Sequence, residues 1–159
     1  ERLDSRKILT PHPGEMARLT NTKASDIQLD RTTAVLRFVE RHKCCLILKG
    51  ARTMISMSPD RIYINTTGGP ALSSGGSGDV LTGIISGLLA RGMPVMEAAT
   101  AGVYIHGMAA DLMAEEMGDV GVIAGDLPDA IPRLIKSLKS GEWPLKKKQP
   151  VVDYRGFIG

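Results

Sequence analysis

Hydrophobic and polar positions along the chain fall into short runs whose period changes several times. Lys7-Ile8-Leu9-Thr10 reads as a short apolar strand halted by Pro11-His12-Pro13-Gly14, and Glu15-Met16-Ala17-Arg18-Leu19 then supplies one or two helical turns. Over residues 30–42, Ala34-Val35, Phe38 and Val39 recur at three- and four-residue spacing, which predicts an amphipathic helix. It returns the chain to a strand over residues 44–48, ended by Lys49-Gly50. Residues 53–57 and 61–65 form a hairpin pattern about the Ser58-Pro59-Asp60 turn. The order to this point is βαβ followed by antiparallel strands.

Residues 66–78 are almost wholly Thr, Gly, Ser, Pro and Ala, yet they lead into the most apolar helix pattern of the chain. Val80-Leu81, Ile84-Ile85 and Leu88-Leu89 repeat every four residues, which predicts a buried helix starting near Gly78. Gly83 and Gly87 would let another element approach its backbone closely. Gly92 is a C-terminal stop and Pro94 a restart, so a second long helix is expected over residues 95–117, ending at Gly118. A last amphipathic helix over 127–138 brings Leu127, Ile131, Leu134, Ile135 and Leu138 to one face. The expected organisation is one domain over residues 1–141 and a tail over 142–159 with no readable order.

Composition narrows the class. With 159 residues, 43% hydrophobic and 23% charged, the chain suits a globular domain and excludes disorder, collagen and coiled coil. No stretch approaches the roughly 20 apolar residues of a bilayer crossing, since residues 80–89 are broken by Thr82, Gly83, Ser86 and Gly87. No secretory leader opens the chain, so a cytoplasmic location is expected; the absent initiator Met is expected to mean a start partway through a larger product. A formal charge of +3, one basic run at Lys146-Lys147-Lys148 and only 4% aromatics give no footprint for nucleic acid. The adjacent Cys44 and Cys45 cannot staple the fold and lack a zinc spacing, so they are read as buried apolar thiols.

The strongest chemical signal is Gly75-Gly76-Ser77-Gly78-Asp79. Glycines let backbone N–H groups converge, and a helix N-terminus adds partial positive charge where a phosphate or oxyanion could sit. The Walker, dinucleotide and serine-hydrolase patterns all fail at neighbouring positions. The same residues equally suit a flexible loop, so on composition alone both readings stand. Asp79 is the acid inside this turn, and its contribution there would come mainly from positioning. His12 and Glu15 lie beyond a strand end, where α/β proteins bind ligands, but they also suit a rigid turn and a helix start. Lys49-Gly50 carries the same ambiguity. His106 reads as a packed or surface histidine and His42 as an exposed one.

Taken in order, Leu9-Thr10-Pro11-His12-Pro13-Gly14-Glu15, Leu48-Lys49-Gly50-Ala51-Arg52-Thr53, Asn65-Thr66-Thr67-Gly68-Gly69-Pro70 and Gly75-Gly76-Ser77-Gly78-Asp79-Val80-Leu81-Thr82-Gly83 are similar to the ADP/ATP-dependent NAD(P)H-hydrate dehydratases of the ribokinase-like superfamily. The resemblance continues through Gly102-Val103-Tyr104-Ile105-His106-Gly107 and Ala124-Gly125-Asp126-Leu127, and so covers residues 8–138. It implies an α/β fold, with a layered, mainly parallel sheet and helices on both faces, lacking the N-terminal part of the domain. It implies an enzyme that uses ADP or ATP to phosphorylate the ring hydroxyl of hydrated NADH or NADPH, after which loss of phosphate restores the double bond. Asp79 then matches the catalytic aspartate and touches substrate, as does His12. Lys49, Gly50, Ala51, Arg52 and Thr53, with Gly75, Gly76, Ser77 and Gly78, match nucleotide-binding positions. Glu15 matches an acid that organises Mg2+ in related kinases.

Two departures accompany the resemblance. Gly69-Pro70-Ala71 stands where many members carry Asn-Pro-Gly, and nothing corresponds to the family's N-terminal half, so an uncovered sheet edge inviting association is expected. A homo-oligomer and a functional link to an NAD(P)H-hydrate epimerase are further implications. The rival readings are a ribokinase-like kinase for a vitamin or sugar, against which His12 in place of the kinases' Asn argues, and a truncated half that binds nucleotide without turnover.

Overall fold

A computed structural model describes residues 3–141 and 152–154, which divide into two compact units. Of these, the first holds residues 3–65, 93–100 and 152–154, the second residues 66–92 and 101–141.

In the first unit the order is β1 (Ile8–Leu9), α1 (Pro13–Thr20), α2 (Ala24–Leu29), α3 (Arg31–His42), β2 (Cys45–Leu48), β3 (Met54–Ser58), β4 (Arg61–Ile64) and β5 (Val152–Tyr154). These five strands form one sheet in chain order. Only β1 and β2 are parallel, with Ile8 opposite Cys45 and Leu9 opposite Leu46, while the other three pairs are antiparallel. The mainly parallel sheet implied by the resemblance is therefore corrected to a mixed, mostly antiparallel one within a helix-rich chain. For β1 to β4 the reason is connection length: a parallel neighbour needs a crossover of a dozen or more residues, and between these four strands the α1–α3 segment alone supplies one. The links from β2 to β3 and from β3 to β4 are short enough to turn the chain straight back.

Helix α3 forms as its spacing predicts. The Asp30 side chain accepts the Thr33 N–H at 2.9 Å as an N-cap, and Lys43 closes the helix in the left-handed region at φ 53°. Its inward face, Val35, Phe38 and Val39, is buried in one core with Leu46 and Leu48 of β2 and Ile62 of β4, each such side chain being worth ~1.5–3 kcal/mol. All four residues of β2 are buried, so the strand that precedes the Lys49 loop is fixed on both faces. Helix α2 has no counterpart in the hydrophobic pattern because it buries one residue, Ile27, and leaves Leu29 89% exposed. His42 is half-buried, not exposed as its position suggested, and its ring lies 4.4 Å from that of Phe38.

In the second unit a 3-10 turn at Pro70–Ser73 precedes α4 (Ser77–Ala90), and the later part of α5 (Val95–Met117) is followed by a second 3-10 turn, Ala124–Asp126, and α6 (Leu127–Ser140). The lengths of α4, α5 and α6 follow the sequence pattern closely. The expected burial of α4 does not: Ser77, Leu81 and Ile85 are its buried residues, and among the described residues nothing lies within 4 Å of a Cβ placed on Gly83 or Gly87. The close approach is made instead by Gly102 of α5, where a Cβ would stand 2.5 Å from Ile85 Cγ1. The expected tail falls mostly outside the described residues; within it, residues 152–154 are β5, paired through Ile62 opposite Tyr154. No described helix is long and apolar enough to cross a membrane.

Candidate functional site

Beyond the end of β1, His12 is the N-cap of α1. Its Nδ1 accepts the N–H groups of Gly14 at 3.0 Å and Glu15 at 3.2 Å, so the ring hydrogen is assigned to Nε2. Glu15 answers with Oε2, which accepts the His12 N–H at 2.7 Å, completing a capping box in which histidine takes the place usually held by Ser or Thr. That bond, helped by the nearby Lys49 cation and opposed by desolvation, holds the Glu15 carboxyl below its ordinary range. Lys49 Nζ lies 3.7 Å from Glu15 Oε2, and the Lys49 N–H donates to Pro11 O at 2.9 Å. The fold thus brings His12, Glu15 and Lys49 together. An open groove of about 450 Å³ runs beside them, lined by Leu9, Thr10, Pro11, Glu15, Arg18 and Leu19.

The loop after Lys49 bends through Gly50 at φ 137° and Arg52 at φ 56°. Ala51 and Arg52 are exposed, and Thr53 Oγ1 donates to Gly50 O at 3.1 Å. Arg31 also reaches this loop from the start of α3, donating to Ala51 O at 2.6 Å, Leu48 O at 3.1 Å and Lys49 O at 3.4 Å. Sequence reasoning missed Arg31, because a basic residue after an N-cap reads as solvated and its partners lie 17 to 20 positions away.

In the second unit the glycine turn opens α4 as the sequence suggested. Gly76 is the N-cap at φ 88°, and no side chain caps the helix. The Ser77, Asp79 and Val80 N–H groups turn onto Ser74 O and Gly76 O, whereas the Gly78 N–H meets no backbone acceptor among the described residues. Gly75, Gly76 and Asp79 are exposed; Ser77 is buried and its hydroxyl donates to Leu72 O at 2.8 Å, which pins the turn. The preceding loop is tied down by Asp111, whose Oδ2 accepts the Gly68 N–H at 2.8 Å, and by Thr67 Oγ1, which donates to Tyr104 O at 3.2 Å. His106 is buried.

No three His, Cys, Asp or Glu side chains converge on a metal-sized space among the described residues. A single half-exposed carboxylate, Glu15, suits an ion carried largely by phosphate oxygens and water, as Mg2+ commonly is, better than a protein cage. Each unit thus carries a feature of a kind that suits an anion: a lysine held at a strand end in the first, and a helix start without a side-chain cap beside an exposed acid in the second.

The comparisons with known proteins point to one family. This chain belongs to the NAD(P)H-hydrate dehydratase family, whose model matches residues 1–133. It is 46% identical over 132 residues to the bifunctional NAD(P)H-hydrate repair enzyme of Moorella thermoacetica, covering 83% of this chain and 25% of the relative. It is 46% identical over 124 residues to the ADP-dependent (S)-NAD(P)H-hydrate dehydratase of Neisseria meningitidis, covering 77% and 42%. The Bacillus subtilis ADP/ATP-dependent NAD(P)H-hydrate dehydratase, co-crystallized with ATP and Mg2+, matches with a TM-score of 0.77 at 37% identity, over 81% of this chain and 47% of that one. The chain therefore spans between a quarter and a half of the length of these relatives.

Proposed function

We propose that this chain takes part in the nucleotide-dependent dehydration of hydrated NADH and NADPH, with ADP or ATP as phosphoryl donor. The observation that carries the reading is the start of α4, which has no side-chain cap and whose Gly78 N–H meets no backbone acceptor among the described residues, beside the exposed Asp79. Family membership over residues 1–133 supports it. In this reading the Gly75–Gly78 turn receives the transferred phosphoryl group on backbone N–H groups, with Ser77 holding the turn in shape. Asp79 takes the proton of the ring hydroxyl as the oxygen–phosphorus bond forms, and the C–O bond later breaks as phosphate leaves. Lys49, Gly50, Ala51, Arg52 and Thr53 hold the nucleotide. His12, whose Nδ1 is occupied by the helix cap and whose Nε2 lies 3.5 Å from Glu15 Oε1, would turn that Nε2–H from the carboxylate to the substrate. Mg2+ would be met by Glu15 and would neutralise charge on the phosphate oxygens. A cytoplasmic setting, a homo-oligomer and a functional link to an NAD(P)H-hydrate epimerase complete the proposal.

The test is recovery of NADH absorbance from hydrated NADH by the complete protein, with ADP, with ATP and without nucleotide. Recovery should need nucleotide, and Asp79→Asn should lower turnover by about 10²–10⁴-fold while nucleotide still binds. No nucleotide-dependent recovery by the unmutated complete protein would refute the reading.

A further inference from the structure

A loop that receives a polyphosphate must not turn its carbonyl oxygens toward it. Residues 48–51 present four such oxygens in succession, and each is taken by a side-chain donor. Ala51 O and Leu48 O accept from Arg31 at 2.6 and 3.1 Å, Lys49 O accepts from it at 3.4 Å, and Gly50 O accepts from Thr53 Oγ1 at 3.1 Å. One guanidinium thus gathers three carbonyls from two sides of a tight bend, a task its fixed fork of donors suits and an ammonium does not. The backbone is shaped around it: Gly50 sits at φ 137°, and a Cβ there would stand 3.3 Å from Arg31 Nη2. The other end of Lys49 is fixed independently, by its N–H to Pro11 O at 2.9 Å and its Nζ near Glu15.

We propose that Arg31 is a positioning residue for nucleotide binding, holding the carbonyls of residues 48–51 so that Lys49, Arg52 and the loop N–H groups are left to the phosphates. The proposal rests on the reading that this loop receives the nucleotide. Arg31 touches neither substrate nor phosphate; it acts through the loop, and its positive charge adds to the field there.

The experiment compares the complete protein with Arg31→Lys and Arg31→Ala, measuring kcat, the KM for ADP or ATP, the KM for hydrated NADH and the melting temperature. Both variants should raise the nucleotide KM about tenfold while kcat and the other KM change less than about threefold, because a misplaced loop loses alignment of one substrate only. Added guanidinium should restore part of the nucleotide affinity of Arg31→Ala. Should the alanine variant fail to fold, the lysine variant, which keeps charge and stem, decides. A folded variant with unchanged nucleotide KM, or one in which both KM values rise together, overturns the positioning role while leaving the proposed function standing. An unmutated protein with no nucleotide dependence removes the proposed function, and the role of Arg31 with it.

Discussion

Replacing Glu15 separates its part as a helix cap from its charge. Its Oε2 accepts the His12 N–H at 2.7 Å, a charge-assisted bond at the first turn of α1, and loss of such a cap costs about 1 kcal/mol. The Lys49 contact at 3.7 Å, with the two side chains 26% and 41% exposed, adds only a few tenths of a kcal/mol once solvent screening is counted. Glu15→Ala should therefore lower stability by roughly 1–1.5 kcal/mol, or about 3 °C in Tm. Glu15→Gln keeps an acceptor for the cap and should cost about half as much. The pH course follows from the direction of the shift. The folded protein holds this carboxyl below its ordinary value of 4.5, chiefly through the His12 N–H, so it binds that proton less tightly than the unfolded chain does. The stabilisation is complete above that ordinary value and is lost as pH falls through the lower folded one. Thermal melts followed by circular dichroism should show the gap between the unmutated protein and Glu15→Gln open at neutral pH and closing in acid. An alanine variant as stable as the unmutated protein at neutral pH, or a glutamine gap that persists undiminished in acid, would refute the reasoning.

Further outcomes are expected from the packing. Gly102→Ala places a Cβ 2.5 Å from Ile85 Cγ1, so it should destabilise by ~1–3 kcal/mol less the ~1 kcal/mol gained in helix propensity, whereas in an Ile85→Ala background the same change should stabilise. Chemical denaturation of the four proteins in that cycle checks it, and an equal effect in both backgrounds would contradict the close approach. Burial, with a lesser contribution from Cys44, pushes the Cys45 thiol up to about 12. Neither cysteine should react with an aromatic disulfide reagent at mild alkaline pH until denaturant is added, and fast labelling of the native protein would count against their placement.

Local pattern made much of the protein legible. The period of apolar residues located α3, α4, α5 and α6 and the β3–β4 hairpin, and the ordered motifs pointed to the family that the comparisons then showed. It also gave βαβ followed by antiparallel strands, which is the order observed; the mainly parallel sheet came from resemblance to the whole family fold and does not hold for this stretch. Helix α2 escaped because one buried residue makes no period.

What the sequence determined by itself is where regular backbone begins and ends, since spacing, caps and glycine stops act over a few residues. Tertiary structure alone decided which side chains meet. Lys49 reaches Glu15, Arg31 reaches the carbonyls of residues 48–51, and Gly102 rather than Gly83 or Gly87 admits a neighbouring helix. These encounters join positions far apart in the chain. A local period fixes which face of an element is apolar, while the partner that covers it is chosen by the packing of whole elements.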